Sequence, residues 1–183
     1  MKQPPPFCPA SERYSSTPFP PYRHLPGITP HPGRHPAGHS FGKPRIPARE
    51  FDPSDWQRMP DYLEGVDLYN FGYYWEAHEA WEGIWKTTGR NDVPGAFLQG
   101  LIQISAAQLK REMQIWRGME SLSRAGMEKL RRVRSRHDCY CGIHLGEFLT
   151  RLETRFGTPG CSGPSPDPRI RLCPPPGPLS QLE

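Results

Sequence analysis

Hydrophobic and polar positions fall into helical spacing only between about residues 54 and 158, and there they do so five times. Tyr62, Leu63, Val66, Tyr69 and Phe71 recur at three- and four-residue intervals, which predicts a first helix with Asp61 at its N-cap and Gly72 at the C′ position. A second helix, from about Tyr73 to Thr87, follows after a turn so short that the two must be antiparallel or steeply crossed neighbours. Asp92 caps a third, PGAFLQGLIQISAAQLKREM, with Pro94 in its first turn, where a missing N–H does no harm. Its first four turns are apolar nearly all round, which marks it as the central helix. Ala96, Gly100, Gln103 and Ala107 form a small-residue row along it that lets another helix come close. After a turn near Gln114, Trp116, Met119, Leu122, Met127, Leu130 and Val133 trace a fourth helix. Ile143, Leu145, Phe148, Leu149, Leu152 and Phe156 trace a fifth, ending at Gly157. The pattern predicts an all-α fold, a compact bundle of about five helices.

Composition sets the limits of that bundle. Of 24 prolines, fourteen fall in residues 1–53 and eight in residues 159–183, leaving only Pro60 and Pro94 between. The expected organisation is therefore a disordered Pro/His/Gly-rich tail over 1–53, a helical domain over 54–158 and a disordered Pro-rich tail over 159–183, because neither tail carries the periodic hydrophobes that offset chain entropy. The net charge of +4 also resides in the tails, since residues 54–158 hold equal numbers of basic and acidic side chains. The basic run KLRRVRSR ends the fourth helix, where positive charge complements the helix dipole, and no aromatics are interleaved with it, so no nucleic-acid partner is expected. No stretch approaches the roughly 18 consecutive apolar residues of a membrane span, and the opening MKQPPP lacks a signal-peptide core. With five cysteines, an odd number mostly outside the helices, the expectation is a soluble cytoplasmic protein with reduced thiols.

Candidate chemistry concentrates in YNFGYYWEAHEAWEGIW, Tyr69 to Trp85. At about 100° per residue, taking His78 as zero, Trp85, Glu82, Tyr74, Trp81 and Trp75 all fall within about 60° of it, so His78 and Glu82 are expected on the aromatic face. Glu79 lies at the margin of that face, and Glu76 points almost the opposite way. Charges inside an apolar stripe need partners. Gln99 and Gln103, four apart on the third helix, are the expected supply. HEAWE has Glu82 where the HExxH of zinc peptidases needs a second histidine, and no glutamate precedes His78 by three, as di-iron bundles require.

Two further clusters hold ligand-type side chains. His24, His31, His35 and His39 have spacings a metal ion could chelate, though a solvated low-complexity tail is the plainer reading. His137, Cys139, Cys141 and His144 are of the types zinc prefers, but their spacing is too tight to close a tetrahedral site without help from another segment.

The run LYNFGYYWEAHEAWEGIW followed by FLQGLIQISAAQL resembles the small all-helical bacterial and archaeal family known as domain of unknown function 309. That family's His-x-x-x-Glu-x-x-Trp/Tyr pattern is matched by His78, Glu82 and Trp85. Asn70, Gly72 and Glu76, then Gln99, Gly100 and Gln103, fit its two signature blocks. The likeness spans about residues 60 to 156 and is strongest from 68 to 107. It implies a compact helical bundle and a suggested role in metal binding, with no established reaction.

Three readings stay open. In the first, His78, Glu82 and Glu79 bind a divalent metal ion whose bound water supports hydrolysis. In the second, a metal-free pocket with Trp75 and Trp85 as walls, and Gln99, Gln103, Glu76 and Asn70 around it, binds a small molecule. In the third, the His/Glu/Gln network only fixes helix packing, and the domain is a structural or protein-interaction module. A small ligand, a protein partner or a second copy of the chain are the partners these readings call for.

Overall fold

The computed structural model describes residues 13–44, 47–89, 92–157 and 168–173. Its centre is α3, Val93–Glu112, which buries Ala96, Phe97, Leu98, Leu101 and Ile104 along with Ser105 and Gln108. Asp92 starts it as expected: Oδ1 accepts from the Gly95 N–H at 2.6 Å, and Oδ2 holds the Gly89 N–H of the preceding turn at 3.0 Å.

α4, Trp116–Arg134, lies along α3 on one side, and α2, Tyr74–Trp85, on another. α1, Pro60–Asn70, packs on α2, and α5, Leu145–Phe156, on α4. The small-residue row on α3 serves the α3/α4 contact. A Cβ on Gly100 would stand 2.9 Å from Leu130, and one on Gly126 only 3.0 Å from the Gly100 carbonyl oxygen, so the two backbones nearly touch there.

The fold is the expected helical bundle, with local differences. α1 begins at Pro60, so Asp61 lies in its first turn rather than at its cap, where its charge still favours the N-terminus. Its C-terminal end matches expectation: Gly72 takes φ 78°, its N–H bonds Tyr69 O at 3.1 Å, and the Tyr73 N–H bonds Leu68 O at 2.8 Å, closing a Schellman cap. Gln114 does the same after α3 with φ 58°.

Two additions were not expected. A 3-10 turn, Pro53–Arg58, precedes α1, and a hairpin of β1, Cys139–Tyr140, and β2, Ile143–His144, precedes α5. The hairpin turns on Cys141 and Gly142, both at positive φ (45° and 78°), as a two-residue primed turn requires. Gly142 is doubly needed, because a Cβ there would sit 2.6 Å from the Trp56 ring. Pairing Ile143 into β2 is what delays α5 to Leu145.

Residues 13–44, read from the sequence as part of a disordered tail, carry no helix or strand but lie against α1 and α2. Their anchors are aromatic and polar, Phe19 lying against the rings of Phe71 and Tyr73 at 4.9 and 5.1 Å. Asp67, buried on α1, accepts the backbone N–H groups of Tyr14 (2.9 Å) and Ser15 (2.8 Å) and pairs with Arg13 Nε at 3.6 Å. Glu76, buried on α2, accepts the His24 N–H at 2.8 Å. Residues 168–173 dock likewise: Asn70 donates through Nδ2 to Ile170 O and accepts from Ile170 N–H through Oδ1, both at 2.8 Å. Residues 1–12, 45–46, 159–167 and 174–183, also expected to be tail, lie outside the described residues.

Candidate functional site

α2 buries Tyr74, Ala77, Trp81 and Ile84, a stripe at helical spacing that faces α1 and α3. Its centre lies about 80° round the helix from His78. The histidine and its carboxylates are consequently at the rim of the interior rather than inside it. Side-chain exposure is 31% for His78, 33% for Glu79 and 30% for Glu82. Trp75 and Trp85 flank His78 and centre the aromatic stripe expected from the sequence on it, but both tryptophans are only half-buried and the packing is centred on Ala77 and Trp81.

His78, Glu79 and Glu82 nevertheless converge. One ligand atom from each lies within 4.8 Å of the other two. His78 Nδ1 is buried without a hydrogen-bond partner, and Glu79 Oε1 stands 3.6 Å from it. Glu82 makes an ion pair with Lys86, one turn on, at 3.2 Å. An imidazole nitrogen lone pair and two carboxylates so disposed can share one divalent cation and leave its outer side to water.

The other residues expected around this cluster separate into two groups. Gln103 Oε1 is buried without a hydrogen-bond partner, so it does not close the network that a purely structural role for the glutamines requires. Gln99, on the same helix, is half-buried, as is Trp85 at the end of α2. Asn70, Glu76 and Trp75 are engaged elsewhere. Asn70 clasps Ile170, Glu76 bonds the His24 backbone, and Trp75 meets the His24 and His31 rings edge-on at 5.0 and 5.3 Å. A groove of about 460 Å³ lined by Arg117, Glu120, Arg124, Met127 and Phe156 lies along α4 and contains none of the cluster's residues.

Glu76 and His24 form a second ionisable group of opposed sign. Burial raises the Glu76 carboxyl above its usual range, only partly offset by the His24 N–H and by His39 Nε2 at 3.4 Å. Burial, then the His31 charge, lowers His24 below its ordinary 6.5. A histidine with a depressed folded-state value binds fewer protons folded than unfolded, so its contribution is lost as pH falls below 6.5. A carboxyl with a raised value does the reverse, gaining as pH falls towards 4.5. The two oppose each other between those limits. Glu76→Gln removes the gain, so this variant should loosen residues 13–44 on acidification from neutral pH more steeply than wild type. Hydrogen exchange of that segment at two pH values measures the difference, and equal slopes would show that Glu76 does not titrate in this window.

At the hairpin, the partner absent from the sequence-derived cluster of His137, Cys139, Cys141 and His144 is Cys173. Cys139, His144 and Cys173 bring one ligand atom each within 4.8 Å of one another. The segment Arg169-Ile170-Arg171-Leu172 alternates polar and apolar residues, the signal of a strand, and was the available clue. Cys141, next in sequence, takes no part: it is buried, and burial pushes its thiol well above the ordinary range.

Fold and cluster together define a class: a small helical bundle with a histidine–carboxylate group at the rim of its second helix. Residues 62–122 match the model of a family described as domain of unknown function (DUF309), as the resemblance in the sequence implied. The match runs from α1 into α4, includes His78, Glu82, Gln99 and Gln103, and stops short of the hairpin. No curated protein matches the chain. Among the described residues, no helix is long and apolar enough to cross a membrane.

Proposed function

We propose that His78, Glu79 and Glu82 bind a divalent metal ion at the rim of α2. The observation that carries this reading is the convergence of one ligand atom from each of the three residues within 4.8 Å of one another, on a histidine whose buried Nδ1 has no hydrogen-bond partner. A structural pair would have satisfied that nitrogen. Placement at the rim also suits a site that must admit an ion and keep a water on it. With an open position, such an ion lowers the pKa of its bound water and makes it a nucleophile at neutral pH, so the reaction class is hydrolysis of a small substrate. The reducing cytoplasm is the compartment in which this chemistry and the chain's free thiols coexist.

Titration of Zn²⁺ and Mn²⁺ into tag-free protein tests the reading, in a Cys139→Ser/Cys173→Ser background so that only this cluster is observed. His78→Ala and Glu82→Gln should each weaken binding about tenfold or more. Unchanged affinity in both variants, with only a fall in melting temperature, would overturn it. The second reading, a protein-interaction module without catalysis, is favoured by the existing Glu82–Lys86 pair, which occupies one carboxylate without a ligand. That reading would then take its place.

A further inference from the structure

The segment whose absence made His137–His144 an incomplete zinc motif is supplied by residues 168–173. Cys139 and His144 are a directly opposed pair in the β1/β2 hairpin, so their side chains leave the same face. Leu172 bridges to Ile143 in antiparallel sense, and the Cys173 N–H donates to Gly142 O at 2.6 Å. One residue beyond Leu172, Cys173 therefore falls on the face that carries Cys139 and His144. The two sulfurs stand 2.8 Å apart although 34 residues separate them in sequence.

We infer that Cys139, His144 and Cys173 form a binding site for a thiophilic divalent cation of the zinc type, with water as the fourth ligand. The donor set of two thiolates and one imidazole is one that zinc selects over magnesium or calcium. Cys139 and His144 are exposed and Cys173 is half-buried, so the ion has a path from solvent. Zinc–sulfur bonds of about 2.3 Å place two tetrahedral sulfurs roughly 3.8 Å apart, so the pair opens by about 1 Å when the ion enters. Each thiol gives its proton to solvent as it binds. His137 does not join the group, its ring lying instead against Tyr140 at 5.2 Å between centroids. The site ties the segment docked by Asn70 to the hairpin docked on the bundle, where Tyr62 Oη donates to Cys141 O at 2.7 Å.

Cobalt titration of the full chain, kept reduced with a phosphine, tests this. One equivalent should produce thiolate-to-cobalt charge-transfer absorption that zinc abolishes. Cys139→Ser and Cys173→Ser should each remove most of that absorption, and His144→Gln should weaken cobalt binding about tenfold or more. Circular dichroism verifies that the variants are folded. The His78 cluster has no sulfur and cannot give this band, so failure there and failure here are separable. Absence of the band in wild type, or its survival in both serine variants, would overturn the inference. So would protein isolated with zinc present but without reductant in which Cys139 and Cys173 are joined as a disulfide, which would make the pair an oxidised staple.

Discussion

Trp81→Ala is expected to destabilise the protein by about 4 kcal/mol, the range of buried tryptophan truncations. Trp81 is 0% exposed and is the largest side chain among those completely enclosed. Its indole lies across α1: Nε1 donates to Tyr62 O at 3.3 Å, the ring is 5.9 Å from that of Tyr69, and a Cβ added to Gly65 would stand 2.2 Å from Nε1. Gly65 has left room for this ring, and removing the ring opens a cavity that two helices cannot close without moving. Trp81→Phe restores most of the volume but not the N–H, so it should recover roughly half of the loss. Urea unfolding measures both values. A loss under about 1 kcal/mol for alanine would mean that α1 and α2 can collapse together, contrary to the packing described.

Asn70→Ala has the next largest expected effect, and a local one. The side chain satisfies both the N–H and the carbonyl of Ile170, whose own side chain is 1% exposed. Truncation strands two buried backbone groups at about 1–3 kcal/mol each, more than docking of a six-residue segment can absorb. Residues 168–173 should therefore come away while the bundle stays folded. Hydrogen exchange should show loss of protection at Ile170 and Cys173 with the α3 amides unchanged. Cobalt absorption at Cys139 and Cys173 should weaken in step. Retained protection at Ile170 would show that Leu172, through its pairing with Ile143 and its N–H bond to Tyr14 Oη at 3.2 Å, holds the segment alone.

What was legible in the sequence is what local physics determines. The run from Val93 to Leu109 announces a central helix because nearly every side of it is apolar, and Asp92 and Gly72 mark ends because caps depend on single residues. The Cys141–Gly142 turn was missed because its first position is held by a residue that seldom adopts positive φ. Residues 13–44 escaped for a different reason. They are held by carboxylates of Asp67 and Glu76 bonding to backbone N–H groups and by single aromatic contacts such as Phe19 on Tyr73, neither of which leaves a hydrophobic period in the segment it captures.

The candidate site was half legible. The three residues of the cluster could be named together, since His78, Glu79 and Glu82 are neighbours on one helix whatever surrounds it. Their depth could not, because it depends on whether neighbouring helices pack on Ala77 or on His78, and that choice is made by Gly65 and Trp81 together. Asn70 and Glu76 enter the expected pocket through the family's signature blocks, yet each faces a chain segment the helical pattern does not reveal. Cys173 belongs to a site that exists only once residues far apart in sequence are paired.

At Gly100 and Gly126 the backbones of the two longest helices come together, with the Leu130 and Ile104 side chains seated against the glycines. α3 and α4 should consequently behave as one stiff plank that resists sliding and twisting.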